Sequence, residues 1–167
     1  GLMPPVTNVL VTSGLAWAAY AGSWPWVPDL GGLTPIATGT STGLDLSVAP
    51  LPADYGISFE GYIVIPADGS YNFSVSDDAG AEMWIHDAHV LDDDFGRTGA
   101  TVGNSILLKA GLHPFRLYYR HESGAAALQL RYSGPGLAAQ TIPAASFFRI
   151  STNGTAETIA LNDSAST

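Results

Sequence analysis

Glycine and proline set the strongest limit on what this chain can become. It carries 19 glycines and 11 prolines among 167 residues, spread at short intervals. They interrupt the backbone before an apolar stripe of helical period can establish itself. The nearest case, Ala16–Ala21, is bounded by Gly14 and Gly22 and is too short to stand as a helix. From Ile57 onward the period is two. Ile57–Ile65 alternates apolar and polar residues and ends at Pro66-Ala67-Asp68-Gly69, which has the composition of a turn. Ser70–Val75 places Tyr71, Phe73 and Val75 on one face. Ala81–Ile85 and Val90–Leu91 flank the hairpin signal His86-Asp87-Ala88-His89, and Ser105–Leu108, Phe115–Arg120 and Ala127–Tyr132 follow as further strands. Many short strands with frequent turn signals predict an all-β fold, an antiparallel β-sandwich or barrel. One domain is expected over residues 1–150, with 151–167, rich in Ser, Thr, Asn and Ala, as a linker or C-terminal tail.

Charge is scarce and unevenly placed. Charged residues make up 13% of the chain, about half the usual 25%. Residues 1–96 hold 12 acids and no Lys or Arg, whereas 97–167 hold 6 bases and 3 acids, for a net charge of −9. A chain with this balance offers phosphates no basic face, so nucleic acid is not expected as a partner. Anionic lipid is disfavoured for the same reason, and no apolar run of about 18 residues is present for membrane insertion. The absence of cysteine removes disulfides, thiolate metal sites and cysteine nucleophiles.

Antiparallel strands alternate direction, so every second loop falls at the same end of the sheet. The loops Ser76–Gly80, Asp92–Gly99 and Arg120–Gly124 therefore share one end, which collects Asp77, Asp78, Asp92, Asp93, Asp94 and Glu122. Adjacent carboxylates in an irregular loop suit a hard divalent cation, and calcium tolerates such loops better than magnesium. Without a cation the same groups repel one another and their pKa values rise. The competing reading of Asp77-Asp78 is a solvated turn. For Asp92–Asp94 it is solvated charge, a ligand set or a sugar-binding rim.

Other candidates favour plainer readings. His86-x-x-His89 reads as two exposed turn histidines with no third ligand nearby in sequence. Trp17, Tyr20, Trp24 and Trp26 read as packing, with a sugar-stacking platform as the alternative. Catalysis by a carboxylate pair is not expected. Glu60 and Glu82 lie within strands, and a loop crowded with acids fits cation binding better than a protonated general acid. No Gly-x-Ser-x-Gly, phosphate-loop or His-Glu-x-x-His pattern occurs. The chain is not expected to be an enzyme.

The order of motifs resembles the PA14 domain family. Gly14-Leu15 to Tyr20, Gly22 and Pro28-Asp29-Leu30 are similar to its opening segment. The run from Phe59-Glu60-Gly61 through Pro66-Ala67-Asp68-Gly69-Ser70-Tyr71 resembles its most distinctive stretch. Ser76-Asp77-Asp78-Ala79-Gly80 resembles its Ser-Asp-Asp-Gly block, and Leu108–Pro114 and Ile142-Pro143-Ala144 complete the pattern. The resemblance implies a PA14-type β-sandwich from a bacterial, secreted or cell-surface multidomain protein such as an adhesin or glycosidase. It implies a lectin-like, calcium-dependent carbohydrate-binding module. Asp77 and Asp78 match the family's calcium-binding aspartates, expected to be joined by a cis peptide, with Glu122 as a third metal ligand. Where yeast-type members supply asparagine, this chain has His121 and Glu122. Carbohydrate contacts are expected from Asp78, Asp93, Asp94 and His121. The alternative is a structural spacer beside other domains of a larger chain.

Overall fold

The computed structural model describes residues 1–94, 101–152 and 159. Its strands, in chain order, are β1 (Val11–Ser13), β2 (Leu15–Ala21), β3 (Ala37–Ser41), β4 (Tyr55–Ile65), β5 (Gly69–Asp77), β6 (Gly80–Ile85), β7 (Ala88–Asp93), β8 (Val102–Leu108), β9 (Gly111–His121), β10 (Leu128–Gly134), β11 (Leu137–Thr141) and β12 (Phe147–Ile150). Helical structure among the described residues is confined to short 3-10 turns at Leu30–Gly32, Leu46–Val48 and Ala144–Ser146. No helix among them is long and apolar enough to cross a membrane. Most of the expected tail, 153–158 and 160–167, lies outside the described residues, as does the stretch 95–100 of the expected acidic loop.

Two antiparallel sheets result. β4 and β9 are the spine of the first, paired from Tyr55–His121 to Ile65–Gly111. β6 and then β7 extend it beyond β9. On the other flank β4 pairs with β2 over its first half and with β12 at Tyr62 and Ile63, and β3 and β1 lie outside these. The second sheet runs β11-β10-β5-β8. Phe59, Met83, Tyr119 and Phe147 from the first sheet meet Tyr71 and Phe73 from the second in one core. Full burial of each such side chain contributes about 1.5–3 kcal/mol.

The all-β expectation and the alternation of Ile57–Ile65 hold. The connections differ from a chain of consecutive hairpins: β4–β5, β5–β6, β7–β8, β8–β9 and β9–β10 each pass from one sheet to the other. Because β7 and β9 are both antiparallel to β6, and β5 turns directly into the start of β6, the C-terminal ends of β5, β7 and β9 still meet at one end. β8 begins at Val102, three residues before the expected Ser105. Trp17, Tyr20 and Trp24 pack as expected, Tyr20 and Trp24 in a small second cluster with Leu30 and Tyr118. Trp26 departs from that reading and is 54% exposed.

Gly61 shows how closely β4 and β12 approach. A Cβ there would sit 2.2 Å from the Phe148 backbone oxygen and 2.9 Å from Leu15. A methyl group cannot be absorbed without separating the strands. Gly61→Ala should lower stability by about 1–3 kcal/mol, measured by urea unfolding; an unchanged midpoint would refute the close contact.

His86 and His89 do not behave as a pair of exposed turn residues. His86 occupies the β6–β7 turn with φ of 53°, and its Nε2 lies 2.8 Å from Nδ1 of the fully buried His113. The other nitrogen of His113, Nε2, is 2.7 Å from the Lys109 carbonyl, which can only accept. Neutral His113 therefore carries its proton on Nε2 and accepts from His86 at Nδ1. Burial pushes both pKa values down.

Candidate functional site

β5 presents Tyr71, Phe73, Val75 and Asp77 to the interior in strict alternation. The last inward position is thus a carboxylate, 5% exposed, where the pattern calls for an apolar residue. Asp93 does the same at the end of β7 and is 6% exposed. The two carboxylates face each other. Neither oxygen of Asp77 and not Oδ2 of Asp93 meets a donor. Two ionised carboxylates only accept, so a hydrogen bond between them exists only while the pair retains a proton. Burial, then Asp93, then the charge of Asp78 push the Asp77 pKa up to about 8, with the Arg120 guanidinium acting in the opposite direction.

Asp78 is held from three sides. Its Oδ1 accepts from the Tyr119 hydroxyl and from the Ala127 amide at 3.0 Å, and its Oδ2 from His121 Nδ1 at 2.6 Å. Its own amide donates to the Ala127 carbonyl at 3.2 Å. His121 is 2% exposed and its ring packs on Tyr55, with centroids 5.1 Å apart. Burial and the neighbouring Asp78 raise the pKa of both Tyr119 and Tyr55. Asp77 and Asp78 belong to the wall of a depression of about 660 Å³ bordered by Leu46, Ser76, Ala126 and Gln129. A second depression of similar size, about 640 Å³, lies by His86 and Arg149 and holds neither aspartate.

The sequence-predicted residues are therefore only partly gathered. Asp77, Asp78, Asp93 and His121 come together. Glu122 pairs with Arg120, whose Nη1 lies 2.6 Å from Oε1 and also donates to the Trp24 carbonyl at 2.8 Å. Asp94 stands against Glu82 instead of Asp77. His121 was expected to meet a sugar, but burial and its bond to Asp78 keep it from solvent; it orients Asp78. The Asp77–Asp78 peptide is not cis, correcting the expectation carried by the resemblance. Tyr119 and the Ala127 amide were missed. The available signal was the inward row Phe115, Leu117, Tyr119, His121, which turns polar towards the strand end.

This donor set fits a hard cation. Asp77 and Asp93 offer buried oxygens without donors, and Asp78 retains acceptor capacity beyond its three bonds. All are oxygen ligands, which calcium favours, and its positive charge offsets their repulsion.

A sequence model of the PA14 domain matches residues 47–146. No curated protein matches the chain. Among solved structures, the A domain of epithelial adhesin 6 from Candida glabrata, in complex with Galβ1-3GlcNAc, has a TM-score of 0.67 and 14% identity, over 96% of this chain and 97% of that one. The PA14 sugar-binding domain of an RTX adhesin has a TM-score of 0.63 and 17% identity, over 82% of this chain and 98% of that one. An anti-sigma factor domain-containing protein from Clostridium clariflavum has a TM-score of 0.66 and 22% identity over 87% of this chain; the match spans 50% of that protein. The fold is shared with all three, and with the family match extending over more than half of its residues, this chain belongs to the PA14 domain family.

Proposed function

We propose that the chain is a non-catalytic, calcium-dependent carbohydrate-binding module, part of a secreted or cell-surface protein. The observation that carries this reading is the buried, donor-free Asp77 carboxylate facing Asp93 beside a rigidly held Asp78. Asp77, Asp78 and Asp93 would hold the ion. Glu122, whose Oε1 is engaged by Arg120, would join them through its other oxygen or by releasing Arg120. A bound calcium ion offers open coordination positions to vicinal sugar hydroxyls. The chain's own residues do the positioning: Tyr119, His121 and the Ala127 amide hold Asp78 in the wall of the depression. The sugar-binding RTX adhesin domain and the adhesin–disaccharide complex support carbohydrate as the ligand class.

A spacer without its own ligand is the second reading, favoured by the half-length match to the anti-sigma factor domain-containing protein. Calcium calorimetry and a glycan array with and without chelator separate the two. Saturable calcium binding with chelator-sensitive glycan retention supports the lectin reading. Absence of both supports the spacer.

A further inference from the structure

The Asp92–Asp94 run is divided by the strand period. Asp93 turns inward to Asp77, whereas Asp92 pairs in register with Glu82 on the opposite face of the first sheet. His89, earlier on β7, lies on that outer face with its Nε2 3.6 Å from Glu82 Oε1. Glu82, His89 and Asp92 each bring a ligand atom within 4.8 Å of the other two. A tetrahedral zinc ion bonds imidazole nitrogen and carboxylate oxygen at about 2.0–2.2 Å, which sets neighbouring ligand atoms roughly 3.3–3.6 Å apart. The His89–Glu82 separation already has that value.

A second observation comes from Asp94. Its Oδ1 is buried without a hydrogen-bond partner, and its carboxylate stands against Glu82. Two carboxylates thus face one imidazole, and among the described residues Glu82 forms its ion pair with His89. The imidazole is pre-oriented: the Trp84 ring stacks on His89 with centroids 4.7 Å apart and planes 11° from parallel.

We propose that Glu82, His89 and Asp92 form a second cation site, separate from the Asp77–Asp78 site, that takes zinc in preference to calcium. The imidazole ligand sets the preference, because calcium favours an all-oxygen shell and zinc a mixed nitrogen and oxygen one. Asp94 lies next to Glu82, beyond the three ligands, where it can accept from a metal-bound water.

The test is calorimetric titration of the whole chain with zinc in a large excess of calcium, with tryptophan fluorescence read in parallel because Trp84 stacks on His89. One zinc per chain is expected. His89→Ala and Asp92→Asn should each weaken it at least about tenfold, and Asp78→Asn should leave it unchanged. Thermal midpoints of the variants confirm that each is folded. Absence of saturable zinc binding overturns the proposal. So does zinc that persists in both His89→Ala and Asp92→Asn, or zinc lost in Asp78→Asn. Failure of the calcium reading shows separately, as absence of a calcium response in the unmodified chain.

Discussion

Asp78→Ala should abolish calcium-dependent glycan retention, and Asp78→Asn should do so with less damage to the fold. Alanine removes the acceptor for the Tyr119 hydroxyl, His121 and the Ala127 amide together. Donors left unpaired in a mostly buried setting cost about 1–3 kcal/mol each, so the alanine variant should also lose thermal stability. Asparagine keeps a carbonyl oxygen for one or two of these donors but gives up the charge that an ion needs. Calcium affinity should then fall at least about a hundredfold, equivalent to ~2.7 kcal/mol. Calorimetry on both variants, with circular dichroism as the folding control, decides the matter. If Asp78→Asn binds calcium as well as the unmodified chain, the ion does not sit at Asp78.

The second large effect has opposite signs with and without calcium. Asp77→Asn should stabilise the calcium-free protein by about 1 kcal/mol, because the amide can donate to Asp93, which now has no donor at Oδ2. The same change should erase the stabilisation by calcium. At a calcium concentration a hundred times the dissociation constant, that stabilisation is about 2.7 kcal/mol. For a domain of this size it corresponds to a rise of roughly 5–10 °C in the unfolding midpoint.

The pH dependence follows from the raised pKa of Asp77, about 8 in the fold against an ordinary carboxylate value when unfolded. The folded state holds the extra proton between these values. Its contribution to stability is complete below the ordinary carboxylate range and is lost as pH rises through about 8. The advantage of Asp77→Asn without calcium should therefore be larger at pH 9 than at pH 6, because the two values lie on either side of about 8. A destabilised Asp77→Asn at pH 9, measured by thermal unfolding in chelator, would contradict the acid pair.

Much of the fold was legible because β5 keeps a clean period of two, β4 and β9 keep it over part of their length, and their turns carry Gly or Pro. β2 was harder. Its Leu-Ala-Trp-Ala-Ala-Tyr-Ala sequence is built largely from small residues that pack in either helix or strand, and its strand identity comes from β3 and β4 beside it. β12 likewise depends on distant partners, β1 and β4. At the site, strand direction correctly brought Asp77, Asp78, Asp93 and His121 to one end. Side-chain parity, applied more strictly, would have separated the rest. Arg120 and Glu122 are two residues apart and lie on the same side, which explains their pairing. His121 between them points the opposite way, into the interior. The same rule divides Asp93 from Asp92 and Asp94. Burial of Asp77 could not be read locally, because it depends on where β7 ends in space.

The three bonds to Asp78 have a mechanical consequence. Asp78 follows β5 in the second sheet, whereas Tyr119 and His121 belong to β9 in the first. One carboxylate thus rivets the two sheets together at their open end. A pull applied to a ligand at Asp78 enters both sheets at once, through β5 and through the β4–β9 spine, instead of peeling a single loop. The side chain that would grip the ligand also distributes the load.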